Sequence, residues 1–270
     1  MRKIGHIIWL DEVDSTNNMA KCHIDDFSDM TVLSAVKQNK GRGQRGNTWS
    51  SIPGQNLTFS IILKHSQEDK PKIQAHKQFV LSELTSLALI ELLSNYDIKA
   101  KIKWPNDIYV NDKKICGMLI ENAIKGKLLN TSIIGIGLNV NQQEFNPSIH
   151  PEPTSILKEK LENPSPKKLE DIKSINLDMC IKHFLVIFER YCGFLTSEKD
   201  YNILEKMYND HLYRKNEEHQ FILKKNGEKF NGTIKSVSPR GLIRIKIHNN
   251  IEAKEDEIQD FAFNEISYII

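Results

Sequence analysis

The sequence predicts an α+β protein: a mixed β-sheet backed by helices, followed by a small all-β unit at the C-terminal end. Three observations predict it. Short apolar runs with strand character recur over residues 6–13, 31–38, 56–63 and 132–140. One long stretch, 73–96, places Phe79, Val80, Leu84, Leu87, Ala88, Ile90 and Leu92 at helical spacing with no proline among them. Beyond residue 213 the period changes from helical to short alternating strands. A chain of 270 residues, 39% apolar and 27% charged, has the proportions of a folded protein with one large core and a small satellite.

The elements follow in order. Ile7, Ile8, Trp9 and Leu10 form a first strand that stops at Asp14-Ser15-Thr16-Asn17, all helix-capping types, so a helix begins there with Asp14 or Ser15 as its cap. Residues 31–38 make a second strand that enters a glycine-rich loop, and 56–63 a third that leaves it. The helix over 73–96 is expected to be the longest and to lie on the sheet. Residues 99–110 and 114–122 read as strands flanking Asn111-Asp112-Lys113, a hairpin signal, and 132–140 as another strand. From about 141 to 175, Pro, Asn, Lys and Glu dominate, which describes a surface connection where function is not expected to centre. Residues 176–195 and 200–212 are helical, and 220–270 returns to strands with turns at Asn226-Gly227, Asn231-Gly232 and Arg240-Gly241. The change of period divides the chain into 1–212 and 213–270. No repeat of solenoid length and no low-complexity tract is present.

Composition excludes several classes. The net charge of +2 provides no global field for nucleic acid or anionic membrane. Cys22, Cys116, Cys180 and Cys192 are far apart with no Cys-x-x-Cys pair, which argues against a disulfide framework and a zinc knuckle. The opening residues have no apolar signal region and no run is long enough to cross a bilayer, so the expected location is the cytoplasm.

Two segments carry chemistry. In Gly41-Arg42-Gly43-Gln44-Arg45-Gly46 the glycines let backbone N–H groups approach an anion, and the arginines add forked donors, so a phosphate or carboxylate is the natural guest. The spacing is neither that of a Walker-type loop nor of a dinucleotide fingerprint. On composition, a hairpin tip with solvated arginines or a nucleic-acid loop using Arg42, Arg45 and Trp49 remain open readings, and Trp49 alone could be ordinary core. In the second segment, Lys103-Trp104-Pro105-Asn106-Asp107, a lysine among Ile102, Trp104, Ile108 and Val110 must either snorkel to water or meet an anion. Asp107 could cap the hairpin. No Ser-His-Asp or Cys-His arrangement stands out.

Together the two segments resemble the biotin protein ligases. The stretch Gly41-Arg42-Gly43-Gln44-Arg45-Gly46-Asn47-Thr48-Trp49-Ser50-Ser51 is similar to that family's ligand-binding loop, which orders over biotin and the adenylate. Lys103-Trp104-Pro105-Asn106-Asp107-Ile108 resembles its other hallmark, and Lys114-Ile115-Cys116-Gly117-Met118-Leu119-Ile120-Glu121 follows at the family spacing. Asp14-Ser15-Thr16-Asn17, Gln38 and Gly135-Ile136-Gly137-Leu138-Asn139-Val140-Asn141 match further stretches, although Asn39-Lys40 departs from the commoner Gln-Ala or Thr-Ala. The resemblance implies a catalytic domain like that of class II aminoacyl-tRNA synthetases and biotin/lipoate ligases, and, more weakly, a C-terminal SH3-like β-barrel. It implies that Ser15, Thr16, Asn17, Gln38, Gly41, Arg42, Gly43, Gln44, Lys103, Gly117 and Gly135 bind biotin. Arg45, Trp49, Asn106 and Asn139 would bind ATP, Asp107 would assist Mg²⁺, and Lys103 with Arg42 would act in catalysis. The implied reaction makes biotinyl-5′-AMP from biotin and ATP, then biotinylates a lysine of the biotin carboxyl carrier domain of a carboxylase. Some bacterial members also carry a helix-turn-helix domain before the first catalytic strand; only a few residues precede that strand here, so operator binding is not expected. A homodimer is left open, and no membrane partner is expected.

Overall fold

The computed structural model describes residues 3, 5–67, 69–163, 173–248 and 258–269, with the side chain of Arg45 outside that description. Strand β1 (Ile7–Val13), helix α1 (Thr16–Cys22) and strand β2 (Val32–Gln38) form a crossover unit whose strands are parallel, as a helical connection allows. The other strand pairings of this sheet are antiparallel. They involve β3 (Leu57–Lys64), β4 (Lys101–Lys103), β5 (Asp107–Val110), β6 (Lys113–Lys125) and β7 (Leu128–Leu138), in the order β1-β2-β3-β7-β6-β5-β4. The predicted mixed sheet is therefore present.

Helices cover both faces of its centre. Helix α2 (Val80–Ser94) is buried nearly all the way round because the sheet lies on one side of it, and α4 (Leu177–Cys192) and α5 (Glu198–Asp210) lie on the other. On the opposite face α1 covers a smaller cluster of Ala20, Leu33, Ile62 and Ile133. Burial on both faces explains why β3 reads as an almost unbroken apolar and small-residue run. A second, five-stranded antiparallel sheet consists of β8 (Glu218–Leu223), β9 (Lys229–Val237), β10 (Ile243–His248), β11 (Ile258–Phe261) and β12 (Ile266–Tyr268), in the order β11-β10-β9-β8-β12.

Several expectations are corrected. The helix over 73–96 starts only at Val80, after a short 3-10 turn, and its 15 residues make it shorter than the 16-residue α4. The strand over 99–110 is two strands: Trp104-Pro105-Asn106 turns the chain back so that Lys103 pairs with Asp107. A proline in mid-strand cannot donate to the ladder, and here it marks a corner. The segment 141–175 contains α3 (Ile156–Glu162), capped by Ser155, whose side chain accepts from Lys158 N. Gly232 lies inside β9, not at a turn; a Cβ there would come within 2.5 Å of Ile245 Cγ2, so the residue is small because two strands approach closely. Gly227 and Gly241, at φ +75° and +80°, do occupy turns.

Candidate active site

Pairing register decides which side chains share a face. Ser60 on β3 lies opposite Gly135 on β7, which lies opposite Leu119 on β6; Thr58, Gly137 and Gly117 form the next such row. Directly opposed residues project to the same side of a sheet, here the side that carries α1. Three glycines in adjoining rows leave a recess, and a cavity of about 760 Å³ opens over it. It is lined by Ser15, Thr16, Asn17, Gln38, Arg42, Gly43, Gln44, Trp49, Lys103, Asn106, Asp107, Gly117, Gly135 and Asn139, among others.

The corner before α1 supplies the polar end. Ser15, Thr16 and Asn17 are buried. Gln38 Oε1 accepts from Thr16 N at 2.7 Å and from Thr16 Oγ1 at 3.2 Å, and Ser60 Oγ lies 2.7 Å from Thr16 Oγ1 and 2.6 Å from Asn17 Oδ1. Asn17 Nδ2 donates to Leu119 O at 3.1 Å and to Glu121 Oε2 at 2.9 Å. Ser15 occupies the N-cap position with extended backbone, but its side chain makes no capping bond; Asp14 instead accepts from Ser15 N and Asn18 Nδ2, both at 2.6 Å. Hydroxyls and amides thus converge on one small volume, the kind of surface that recognises a compact polar ring.

The glycine-rich loop is a miniature hairpin. Trp49 N donates to Gly41 O at 2.9 Å and Gly43 N to Asn47 O at 2.7 Å, around a 3-10 turn at Gln44–Gly46. Gly41 lies at its base and does not line the cavity; a Cβ there would stand 2.2 Å from Trp49 O. Gln44 Oε1 is buried without a protein partner. Trp49 lies across the glycine rows, where a Cβ on Gly137 would come within 2.2 Å of the indole. The flat group resting on this backbone is the protein's own side chain, with its Nε1 buried and unpartnered.

The turn at Trp104-Pro105-Asn106 places Lys103 and Asp107 side by side at the ends of β4 and β5. Lys103 Nζ is 3.9 Å from Asp107 Oδ2, and Lys114 Nζ is 2.7 Å from Asp107 Oδ1. The Lys103 ammonium also stands 5.4 Å and 5.0 Å from the ring centroids of Tyr109 and Tyr268. Burial holds its pKa below the ordinary lysine value; Asp107 opposes this, while Lys114, Lys224 and Arg214 add to the lowering. A partly buried cation that shares its carboxylate partner with Lys114 is well placed to take an anionic ligand. Asn106 Nδ2 donates to Met118 O at 2.6 Å, which fixes the turn on β6, and Trp104 Nε1 donates to Gly241 O at 2.9 Å, which ties it to the C-terminal sheet. Asn139 Nδ2 holds Thr154 O at 2.9 Å.

Sequence reasoning overlooked four contributors. Ser60, Glu121 and Lys114 all reach this face; counting by two from Gly117 signals Glu121, but neither Ser60, on β3, nor Lys114, an odd number of positions away. Phe263 enters the cavity from the C-terminal unit, with no local pattern to announce it. The segment 141–175 was also misjudged: Phe145, Asn146, Ser148, Ile149, His150, Pro151 and Pro153 form a wall of the cavity, because Lys114 N donates to Glu152 O and Thr154 N to Lys114 O. Beyond Lys103 a second cavity of about 820 Å³ is lined by Tyr109, Tyr268, Phe263 and Lys224.

The site thus combines, over one helix-backed sheet, a glycine-floored cavity, a polar corner and a partly buried lysine. The model of the biotin/lipoate A/B protein ligase family matches residues 9–139 of the chain. A bifunctional ligase/repressor of Bacillus spizizenii is 31% identical over 194 residues, 71% of this chain and 55% of that protein. A biotin–[acetyl-CoA-carboxylase] ligase of Paracoccus denitrificans is 31% identical over 134 residues, 48% of this chain and 53% of that protein. The solved structure of the Aquifex aeolicus biotin protein ligase in complex with biotin and ATP aligns over 97% of both chains, with TM-score 0.69 and 27% identity. The chain spans about half the length of the curated relatives it matches.

Proposed function

We propose that the protein is an ATP-dependent biotin protein ligase. The observation that carries this reading is that one cavity joins the Ser15–Thr16–Asn17–Gln38 corner to Lys103, with Arg42, Gly43 and Gln44 at its edge. The corner would hold the ureido ring and the loop would cover the acid. The biotin carboxylate oxygen then attacks the α-phosphorus of ATP, giving biotinyl-5′-AMP and pyrophosphate. Lys103 and Arg42 stabilise the charge that accumulates during this displacement, and no protein nucleophile is needed. In the second step a lysine amine of a biotin carboxyl carrier domain attacks the acyl carbon, an amide forms, the amine loses its proton and AMP leaves.

Arg45, Trp49, Asn106 and Asn139 are assigned to the nucleotide, with Trp49 exchanging its place on Gly137 for contact with the adenine. Gly41, Gly117 and Gly135 serve by being small. Magnesium is proposed only as the companion of the nucleotide: among the described residues Asp107 is the carboxylate that lines the cavity, its two oxygens face Lys103 and Lys114, and no cluster of three metal-ligating side chains occurs. No step is routed through it. Division at residue 213 into a catalytic unit and a small barrel, a cytoplasmic location, and action without DNA or membrane belong to the same proposal.

ATP–pyrophosphate exchange with biotin, lipoate or no acid tests it. Exchange that depends on biotin is expected; exchange driven by lipoate and not by biotin would overturn the assignment.

A further inference from the structure

We infer that Glu121 is a positioning residue that holds the glycine-rich loop closed against the sheet. Three elements far apart in sequence meet on its carboxylate. Oε1 accepts from Arg42 Nη2 at 3.0 Å, and Oε2 accepts from Arg42 Nη1 at 3.1 Å and from Asn17 Nδ2 at 2.9 Å. Arg42 Nη1 also donates to Asn18 Oδ1 at 2.7 Å. One carboxylate on β6 therefore holds the loop through a two-point ion pair and, with the same oxygen, orients the buried amide that faces Gly135.

The placement follows from the sheet. Glu121 lies opposite Ile133, two residues along the strand from the Leu119–Gly135 row, so its side chain shares the α1 face and stands at the rim of the cavity. The Arg42 and Glu121 side chains keep 38% and 24% of their surface exposed, so as a bare surface pair they would add little to stability. Their effect lies in preorganisation. A loop already drawn to the sheet loses less freedom when the ligand binds, and Asn17 already carries its amide in one orientation. This rests on the reading above, in which loop and corner bind biotin. It predicts that Glu121 acts mainly on the binding of the acid, the step at which the loop closes, and reaches the chemical step only through Arg42.

Two measurements on Glu121→Ala and Glu121→Gln test this. Limited trypsin digestion of the ligand-free protein reports loop closure directly: cleavage after Arg42 or Arg45 is expected to quicken in Glu121→Ala, less so in Glu121→Gln. Biotin-dependent pyrophosphate exchange reports function: KM for biotin is expected to rise roughly tenfold in Glu121→Ala, with kcat within about threefold, since loop side chains that Glu121 had already fixed must then be ordered on binding. Parental cleavage with parental KM in a variant of unchanged denaturation midpoint would overturn the inference. So would tighter biotin binding, which would make Glu121 a competitor of the ligand for Arg42, or a fall in kcat at constant KM. If no acid supports exchange in the parent, the ligase reading fails, while the digestion still decides whether Glu121 holds the loop.

Discussion

Replacing Gly135 with alanine tests how rigidly the polar corner is built. An interior strand glycine is ordinarily a weakness, and alanine there should stabilise by about 0.5–1 kcal/mol. At this position a Cβ would stand 2.2 Å from Asn17 Oδ1 and 2.9 Å from its Cγ. Asn17 cannot turn aside freely, because its amide makes hydrogen bonds with Ser60, Leu119 O and the carboxylate of Glu121. Two neutral bonds at about 1 kcal/mol each and one to a charged group at about 2 kcal/mol sum to roughly 4 kcal/mol. Subtracting the gain of alanine leaves a loss of about 3 kcal/mol. That loss appears either as stability, read by urea denaturation, or as a hundredfold or larger drop in kcat/KM for biotin if Asn17 swings into the cavity. On an Asn17→Ala background the clash is gone, and Gly135→Ala should be neutral or stabilising. A single variant with parental stability and parental kcat/KM, or a penalty that persists on the Asn17→Ala background, would refute the reasoning.

Other expectations follow from the same geometry. Lys103→Ala should lower biotin-dependent pyrophosphate exchange by at least a hundredfold at unchanged folding, a loss on the scale of removing a fixed charge stabiliser; activity within a few-fold of the parent would remove its assigned role. Gly137→Ala should displace the indole that lies over it, which a shift in Trp49 fluorescence measured in a variant retaining Trp49 as its one tryptophan would register. Burial, with a smaller contribution from Glu205, raises the Glu83 pKa from 4.5 to about 8. The folded state therefore binds a proton that the unfolded chain releases; the stability it contributes is complete below pH 4.5 and is lost as pH climbs towards 8, by up to about 5 kcal/mol. Denaturation of Glu83→Gln across that range should show a flatter pH dependence than the parent, and parallel curves would contradict it. Trp104→Phe removes the donor to Gly241 O and should cost about 1 kcal/mol or more of stability.

The site was legible in the sequence where it consists of contiguous motifs. Asp14 to Asn17, the loop from Gly41 and Lys103 to Asp107 each announce themselves by residue type, and each borders the same cavity, through Ser15 to Asn17, through Arg42 to Gln44, and through Lys103, Asn106 and Asp107, while Gly41 closes the loop base. Local rules faltered where a distant partner decides. Pro105 was read within a strand because the flanking residues are β-formers, yet pairing of Lys103 with Asp107 makes it a corner. Gly232 was read as a turn by its Asn-Gly dipeptide, yet Ile245 across the ladder sets its size.

By itself the sequence determined the elements, the mixed sheet and the chemical groups brought to the site, because period, capping types and glycine content act over a few residues. Tertiary structure alone decided that Glu121 meets Arg42, that Ser60 meets Asn17, and that Phe263 and the wall at 145–153 close the cavity. Those contacts depend on strand register and on the approach of segments up to hundreds of residues apart, and no local preference encodes which pair of faces will meet.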